Sequence, residues 1–103
     1  MKIKSLICLT LVSMLPMNLA LAADGAELYT AKTCGACHGA DAKSPILPLY
    51  PSLAGQSKEY LVQQMADIKS GARSNGQSAA MKGIMAMVSD EEIAAIADYI
   101  AGL

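Results

Sequence analysis

Apolar residues recur with helical spacing in three parts of the chain, and polar segments separate them. The first part follows Asp24, which is placed as an N-cap with Glu27 three residues later, as in a capping box. The residues that follow favour a helix, and we predict one over residues 25–36 that ends near Gly39.

Two further helices are predicted from their caps and apolar faces. Ser57 precedes a segment in which Leu61, Met65 and Ile68 share one face, and Gly71 marks its end. Near the C-terminus, "SDEEIAAIADYI" combines a capping box with three acidic residues in the first turn of a helix. Its apolar stripe is formed by Ile93, Ile96, Ala97 and Ile100.

The segments between the helices are predicted to be loops. Residues 40–56 contain Pro45, Pro48 and Pro51, too many for a helix or a central strand, and their apolar residues indicate an ordered, packed loop. Residues 72–80 are small and polar and are expected to form a surface loop. Because no segment shows a strand pattern, we predict an all-α domain of about three helices.

The N-terminal 22 residues have the pattern of a cleaved secretory signal peptide. Lys2 and Lys4 precede an apolar run over residues 6–15, and Ala20-Leu21-Ala22 is a small-x-small cleavage site. The apolar run is shorter than the roughly 20 residues of a membrane-spanning helix, which disfavours an anchor. The predicted organisation is therefore a signal peptide over residues 1–22 and one domain over residues 23–103.

Charge and size limit what this domain can do. The signal contains two of the eight basic residues and none of the nine acidic ones, so the mature chain carries six against nine, a net charge of −3. This balance and the absence of a basic patch argue against nucleic-acid binding. No later apolar run is long enough to span a membrane. A chain of this length without Trp or Phe also has little material for a core, so a staple or cofactor is expected.

The stretch "TCGACHGA" contains Cys34, Cys37 and His38 in the Cys-x-x-Cys-His spacing of c-type haem attachment. Residues i and i+3 of a helical turn face one side, so both thiols can reach the two vinyl groups of one porphyrin while His38 binds the iron. A zinc site needs four ligands, and the mature chain has only three Cys and His residues. A dithiol oxidoreductase normally has a βαβ fold, and a lone disulfide over three residues stabilises little. We therefore predict one haem c, covalently held through Cys34 and Cys37.

The second axial ligand decides between an electron carrier and an enzyme. His38 is the only histidine, so a methionine is the next candidate. Met65 lies on the apolar face of a predicted helix and is interpreted as core. Met81 follows the polar loop, where the chain could fold over the distal side of the haem. Met85 and Met87 stand closer to the last helix, and Met85 is the next candidate ligand.

The segments "CGACHG", "YPSLAGQSKEYLVQQMADIKSGARSN" and "MKGIMAMVSDEEIAAIADYIAGL" resemble the class I c-type cytochromes. More closely, the chain is similar to a single domain of the periplasmic dihaem members, although it has one haem motif. The resemblance implies a haem-wrapping helical fold whose first and last helices cross. It implies Met81 as the distal iron ligand, because the methionine stands eight residues before the serine that opens the last helix. It also implies that a proline carbonyl, best matched by Pro45, accepts the Nδ1–H of His38.

The function expected from this resemblance is periplasmic electron transfer by a His/Met-ligated haem, without enzyme activity. Such a carrier would be a monomer that docks transiently with a respiratory complex, an oxidase or a dehydrogenase. One alternative is the haem subunit of an oxidoreductase complex such as a flavin-linked sulfide dehydrogenase. Another is a gas-binding or peroxide-reducing haem with an open distal site.

Overall fold

The structure is a computed structural model that describes residues 24–103, and this part of the chain contains five helices and no strand. The predicted signal peptide over residues 1–22 lies outside the described residues. The all-α fold class is confirmed, with two short helices in addition to the three predicted. The helices are α1 (Gly25–Ala31), α2 (Gly35–His38), α3 (Lys58–Ser70), α4 (Ser78–Met85) and α5 (Asp90–Ala101).

The first predicted helix is interrupted before the cysteine motif. The Asp24 carboxylate accepts a 2.7 Å hydrogen bond from the Ala26 amide and so caps α1 as predicted. The helix ends at Ala31 with Lys32 as its C-cap, because Thr33 adopts a left-handed backbone with φ 62°. The chain then resumes as the single turn α2, so a continuous helix over residues 25–36 was wrong.

The caps predicted for α3 and α5 are present. The Ser57 hydroxyl accepts from the Tyr60 amide at 3.2 Å, and Gly71 ends α3 in a left-handed conformation with φ 88°. At the start of α5, Ser89 and Glu92 exchange both hydrogen bonds of a capping box, at 3.0 and 3.2 Å. Local side-chain chemistry therefore fixes where these two helices begin.

Helix α4 was not predicted, and it begins inside the segment expected to be a loop. Its N-cap Gln77 makes no side-chain capping bond and Gly83 lies in its interior, so local signals for a helix are weak. Packing supplies the stabilisation instead, because α4 lies against α3 and buries Met85. The apolar spacing of Met81, Met85 and Val88 was the signal available in the sequence.

The core forms where α5 packs against both α1 and α3. Ile93, Ile96 and Ile100 project from α5 and are at most 2% exposed. The remaining core side chains come from all parts of the described chain: Leu28, Tyr29, Ala42, Leu61, Met65, Ile68, Met85, Val88 and Ala97. This packing brings the two ends of the domain together, as the expected crossing of the first and last helices requires.

The crossing of α1 and α5 depends on a close backbone approach at Gly25. A Cβ atom at this position would lie 2.2 Å from the Ala95 carbonyl oxygen and 2.7 Å from the Tyr99 Cβ. Both distances are too short for real contacts, so a larger residue would push the helices apart. Glycine is therefore required here by packing rather than by backbone conformation.

We expect Gly25→Ala to lower the free energy of unfolding by about 1–3 kcal/mol, because the added methyl group overpacks the crossing. Gly102→Ala is the matched control, since its Cβ would meet only ordinary contacts at 3.6 and 3.7 Å. Denaturant unfolding of both variants measures the effect. Equal stability of the two variants would contradict the close approach.

Candidate haem-binding site

Cys34, Cys37 and His38 lie together on α2 and its N-cap. The backbone amides of Cys37 and His38 both donate to the Cys34 carbonyl oxygen, at 3.3 and 3.0 Å, which winds the motif into one helical turn. Both thiols are free and partly exposed. Burial raises the pKa of the Cys34 thiol above its ordinary value. The structure thus places the two thiols of the motif on one turn, as their spacing predicts.

The imidazole of His38 is buried, with 7% of the residue exposed. Its Nδ1 atom lies 2.9 Å from the Pro51 carbonyl oxygen. Because a carbonyl oxygen can only accept a hydrogen bond, a neutral His38 carries its proton on Nδ1. The Nε2 lone pair is then left for a metal, and the Nδ1 hydrogen bond to Pro51 fixes the orientation of the ring.

The Pro45 prediction was wrong, because the carbonyl bonded to His38 is that of Pro51. Pro45 lies where the chain turns back, and the amide of the next residue, Ile46, donates to the Cys37 carbonyl at 3.1 Å. Pro45 is therefore held near the cysteine motif by the hydrogen bond of Ile46. The carbonyl that accepts from His38 belongs to Pro51, near the other end of the loop. The spacing of three prolines in one loop does not reveal which carbonyl faces the histidine.

The Ala42 carbonyl closes the loop that delivers Pro51. It accepts hydrogen bonds from the amides of Leu53 at 2.8 Å and Ala54 at 3.0 Å. Ala42 is fully buried and has a left-handed backbone with φ 57°, which is uncommon for alanine. These two bonds tie residues 53–54 to residue 42, and so hold Pro51 against His38.

The turn after His38 is fixed by a glycine and by an aspartate side chain. Gly39 has φ 87°, and a Cβ there would lie 2.3 Å from the Ser44 carbonyl oxygen, so glycine is required. The Asp41 carboxylate accepts from the amides of Lys43 and Ser44 at 2.9 and 3.0 Å, and these bonds hold the pKa of that carboxyl below its usual value. The segment after the motif is therefore an ordered turn.

Tyr29 joins α1 to this turn. It is 2% exposed, and its hydroxyl donates a 2.6 Å hydrogen bond to the carbonyl oxygen of Gly39, the residue after His38. Its ring also contacts Tyr99 of α5 edge to face, with centroids 5.8 Å apart. Burial, and next the neighbouring Cys34, raise the pKa of Tyr29 to about 12. This role was not predicted from the sequence, although Tyr29 stands five residues before the motif.

The four methionines of the described chain differ in burial. Met65 and Met85 are enclosed in the core, at 7% and 3% exposed, and Met87 is 62% exposed. Met81 lies on α4, partly buried, and packs against the same core cluster as Cys34. Burial thus separates Met81 from the other three.

These residues fit a covalently bound haem. The site offers two free thiols on one turn and, beside them, a buried imidazole whose Nε2 is available for iron. Residues 24–103 contain no group of three or more His, Cys, Asp or Glu side chains that could hold a metal ion. Two thiols and one imidazole are the donor set of a haem attachment site.

Comparison with known proteins also indicates a c-type haem protein. The cytochrome c family profile matches residues 22–103. Cytochrome c4 from Pseudomonas aeruginosa is 48% identical over 86 residues, covering 82% of this chain and 41% of that protein. Cytochrome c-553 from Nitratidesulfovibrio vulgaris is 34% identical over 87 residues, covering 84% of this chain and 83% of that protein. A protein from Stutzerimonas stutzeri named thiosulfate dehydrogenase electron acceptor is 44% identical over 85 residues, covering 76% of this chain and 38% of that protein.

The fold and the attachment turn define a c-type haem protein. The chain belongs to the cytochrome c family, and its cofactor is covalently bound haem c. It spans between 34% and 42% of the length of three cytochrome c4 relatives, which confirms the expected similarity to one part of such proteins. In residues 24–103, no helix is long and apolar enough to cross a membrane.

We expect Tyr29→Phe to lower the free energy of unfolding of the haem-loaded protein by about 1–3 kcal/mol at pH 8, because the buried Gly39 carbonyl loses its donor. The difference should shrink with pH. An unfolded tyrosine ionises near its ordinary pKa of 10.0, and burial raises the pKa of the folded Tyr29, so this stabilisation is complete below pH 10 and is lost as the pH rises through the folded pKa.

Denaturant unfolding of both proteins between pH 8 and 12 checks this expectation. Tyr60→Phe is the control, since Tyr60 is 54% exposed, and it should match the wild type throughout. A gap between wild type and Tyr29→Phe that stays constant over this range would contradict the assignment.

Proposed function

We propose that this protein is a monohaem electron carrier without enzyme activity, exported to the periplasm after cleavage of residues 1–22. The observation that carries the proposal is the buried His38, whose Nδ1 is held by the Pro51 carbonyl beside two free thiols. Haem c, once bound, supplies one-electron chemistry at its iron. The work of the polypeptide is to bind the cofactor, fix its ligands and exclude substrates from the iron.

Each residue of the motif has a separate role in this proposal. Cys34 and Cys37 form the thioether links, and His38 provides the proximal iron ligand through Nε2. The Pro51 carbonyl orients the imidazole and, by accepting its Nδ1–H, raises the basicity of Nε2. The imidazole would therefore be presented to the iron in a fixed orientation.

Met81 is proposed as the distal ligand. Its partial burial against the core supports the choice over Met87, which is exposed, and over Met65 and Met85, whose side chains already fill the core. Methionine opposite histidine raises the reduction potential of a haem. With His38 and Met81 both assigned to the iron, the protein would leave no position there for a substrate, and the haem would serve one-electron transfer.

The proposed partners are redox proteins that dock transiently, such as a respiratory complex, an oxidase or a dehydrogenase. A second candidate, favoured by relatives named thiosulfate dehydrogenase electron acceptor, is a dedicated acceptor for a sulfur-compound dehydrogenase. The haem subunit of a flavin-linked sulfide dehydrogenase belongs to the same class of alternatives. Stable copurification with a dehydrogenase would favour these, whereas a monomer at working concentration would favour the free carrier.

Cys34→Ser and Cys37→Ser should each weaken or abolish covalent haem retention, because each removes one thioether link. Haem staining of the exported protein after denaturing electrophoresis measures this. Ser78→Ala, far from the thiols in sequence, is the control and should retain haem. Full covalent retention in either cysteine variant would contradict the attachment assignment.

Met81→Ala should abolish the weak far-red absorption band of sulfur-ligated ferric haem, lower the reduction potential and allow rapid carbon monoxide binding to the reduced protein. Met85→Ala should keep the band and instead destabilise the fold by about 2–5 kcal/mol, because it leaves a cavity in the core. Spectra, potentiometry and unfolding of both variants test the assignment. The reverse pattern would identify Met85 as the ligand.

A further inference from the structure

Two lysines contact the short connector between α4 and α5, defined as residues 86–88. Lys32 Nζ donates a 2.8 Å hydrogen bond to the Met87 carbonyl oxygen, and Lys69 Nζ donates to the Val88 carbonyl oxygen. Lys32 caps the end of α1, and Lys69 lies in the last turn of α3. Two separate helices therefore hold adjacent carbonyls of one connector.

Each ammonium group also meets an acidic side chain of the first turn of α5. Lys32 lies 3.5 Å from Glu92, and Lys69 lies 3.7 Å from Asp90. The two lysines thus stand between the negative C-terminal end of α4 and the carboxylates at the start of α5. The Lys32–Glu92 pair is partly shielded from water, with side chains 24% and 28% exposed, whereas Asp90, the partner of Lys69, is 92% exposed and water screens that pair.

The connector is rigidly joined to α4. The amides of residues 86, 87 and 88 donate to the carbonyls of residues 82, 84 and 85 at 3.0–3.1 Å, which continues the helical winding beyond Met85. Val88 is 2% exposed and anchors the connector in the core. A displacement of the connector would therefore move α4, and with it Met81, one turn before Met85 on the same side of the helix.

We propose that Lys32 and Lys69 are positioning residues for the distal ligand, which hold the connector and thereby fix the Met81 sulfur. This inference rests on the proposed role of Met81. We call the contacts of Lys32 and Lys69 with the connector the clamp. Lys32 also stands two residues before Cys34, so the clamp joins the haem attachment turn to the helix that carries the distal ligand. The ease with which the Met81 sulfur would leave the iron then depends on Lys32 and Lys69, which bind neither the sulfur nor the iron.

Imidazole binding to the oxidised, haem-loaded protein tests this clamp, because imidazole binds only after the methionine leaves the iron. Lys32→Met and Lys69→Met keep the length of the side chain and remove its hydrogen-bond donors. We expect each to raise imidazole affinity about three- to tenfold, and the double variant to raise it further. Lys69→Arg, which keeps a charged donor, should restore most of the wild-type affinity.

Lys58→Met is the matched control, since Lys58 lies on the surface and pairs, within residues 24–103, with the exposed Asp98 at 3.4 Å. It should bind imidazole as the wild type does. Unfolding by denaturant is measured on every variant. A lower unfolding midpoint for the Lys32 and Lys69 variants with unchanged imidazole affinity would show a merely structural role and overturn the proposal.

Met81→Ala separates this proposal from the one on which it rests. It should raise imidazole affinity strongly, and Lys69→Met added to it should have no further effect. If Met81→Ala binds imidazole no more tightly than the wild type, the ligand assignment is wrong and the clamp falls with it. If Met81→Ala alone raises the affinity and the lysine variants do not, only the clamp is overturned.

Discussion

The contact of α5 with both α1 and α3 is the constraint on which the other parts of this small domain depend. Ile93, Ile96 and Ile100 are almost fully buried in it, and with Val88 they are the largest fully buried side chains in the described part of a chain without Trp or Phe. The attachment turn follows directly from α1, and α4 packs on α3. The attachment turn is therefore positioned by α1, and α4 with Met81 is positioned by α3, and both α1 and α3 pack against α5. Gly25 allows the α1 contact to be close, since any side chain there would collide with the α5 backbone.

The proximal side of the site is controlled by backbone carbonyls. His38 needs an acceptor on Nδ1 to present Nε2 with a fixed ring orientation, and the Pro51 carbonyl provides it. That carbonyl is held in turn by the closure of the loop at Ala42. On the other face of the turn, the Tyr29 hydroxyl binds the Gly39 carbonyl. The single histidine of the chain is thus held between two hydrogen-bonded segments.

Sequence patterns predicted the parts of this structure that depend on local chemistry. The caps at Ser57 and Ser89 and the cysteine spacing are short-range signals, and the structure contains the features they predict. Helix α4 was missed because packing on α3, and not a cap, stabilises it. The Pro45 assignment failed for a similar reason, since the carbonyl that reaches His38 is selected by loop closure at Ala42. The lysine contacts to the connector span 55 and 19 residues, which no local pattern reports.

We propose that one haem is held between His38 and Met81. The proton NMR spectrum of the reduced, haem-loaded protein tests it most directly, because the methyl group of an iron-bound methionine lies over the porphyrin and is strongly shifted upfield by the ring current. One such methyl signal is expected, connected by sequential assignment to Met81. A shifted methyl that belongs to Met85, or a spectrum without one, would contradict it.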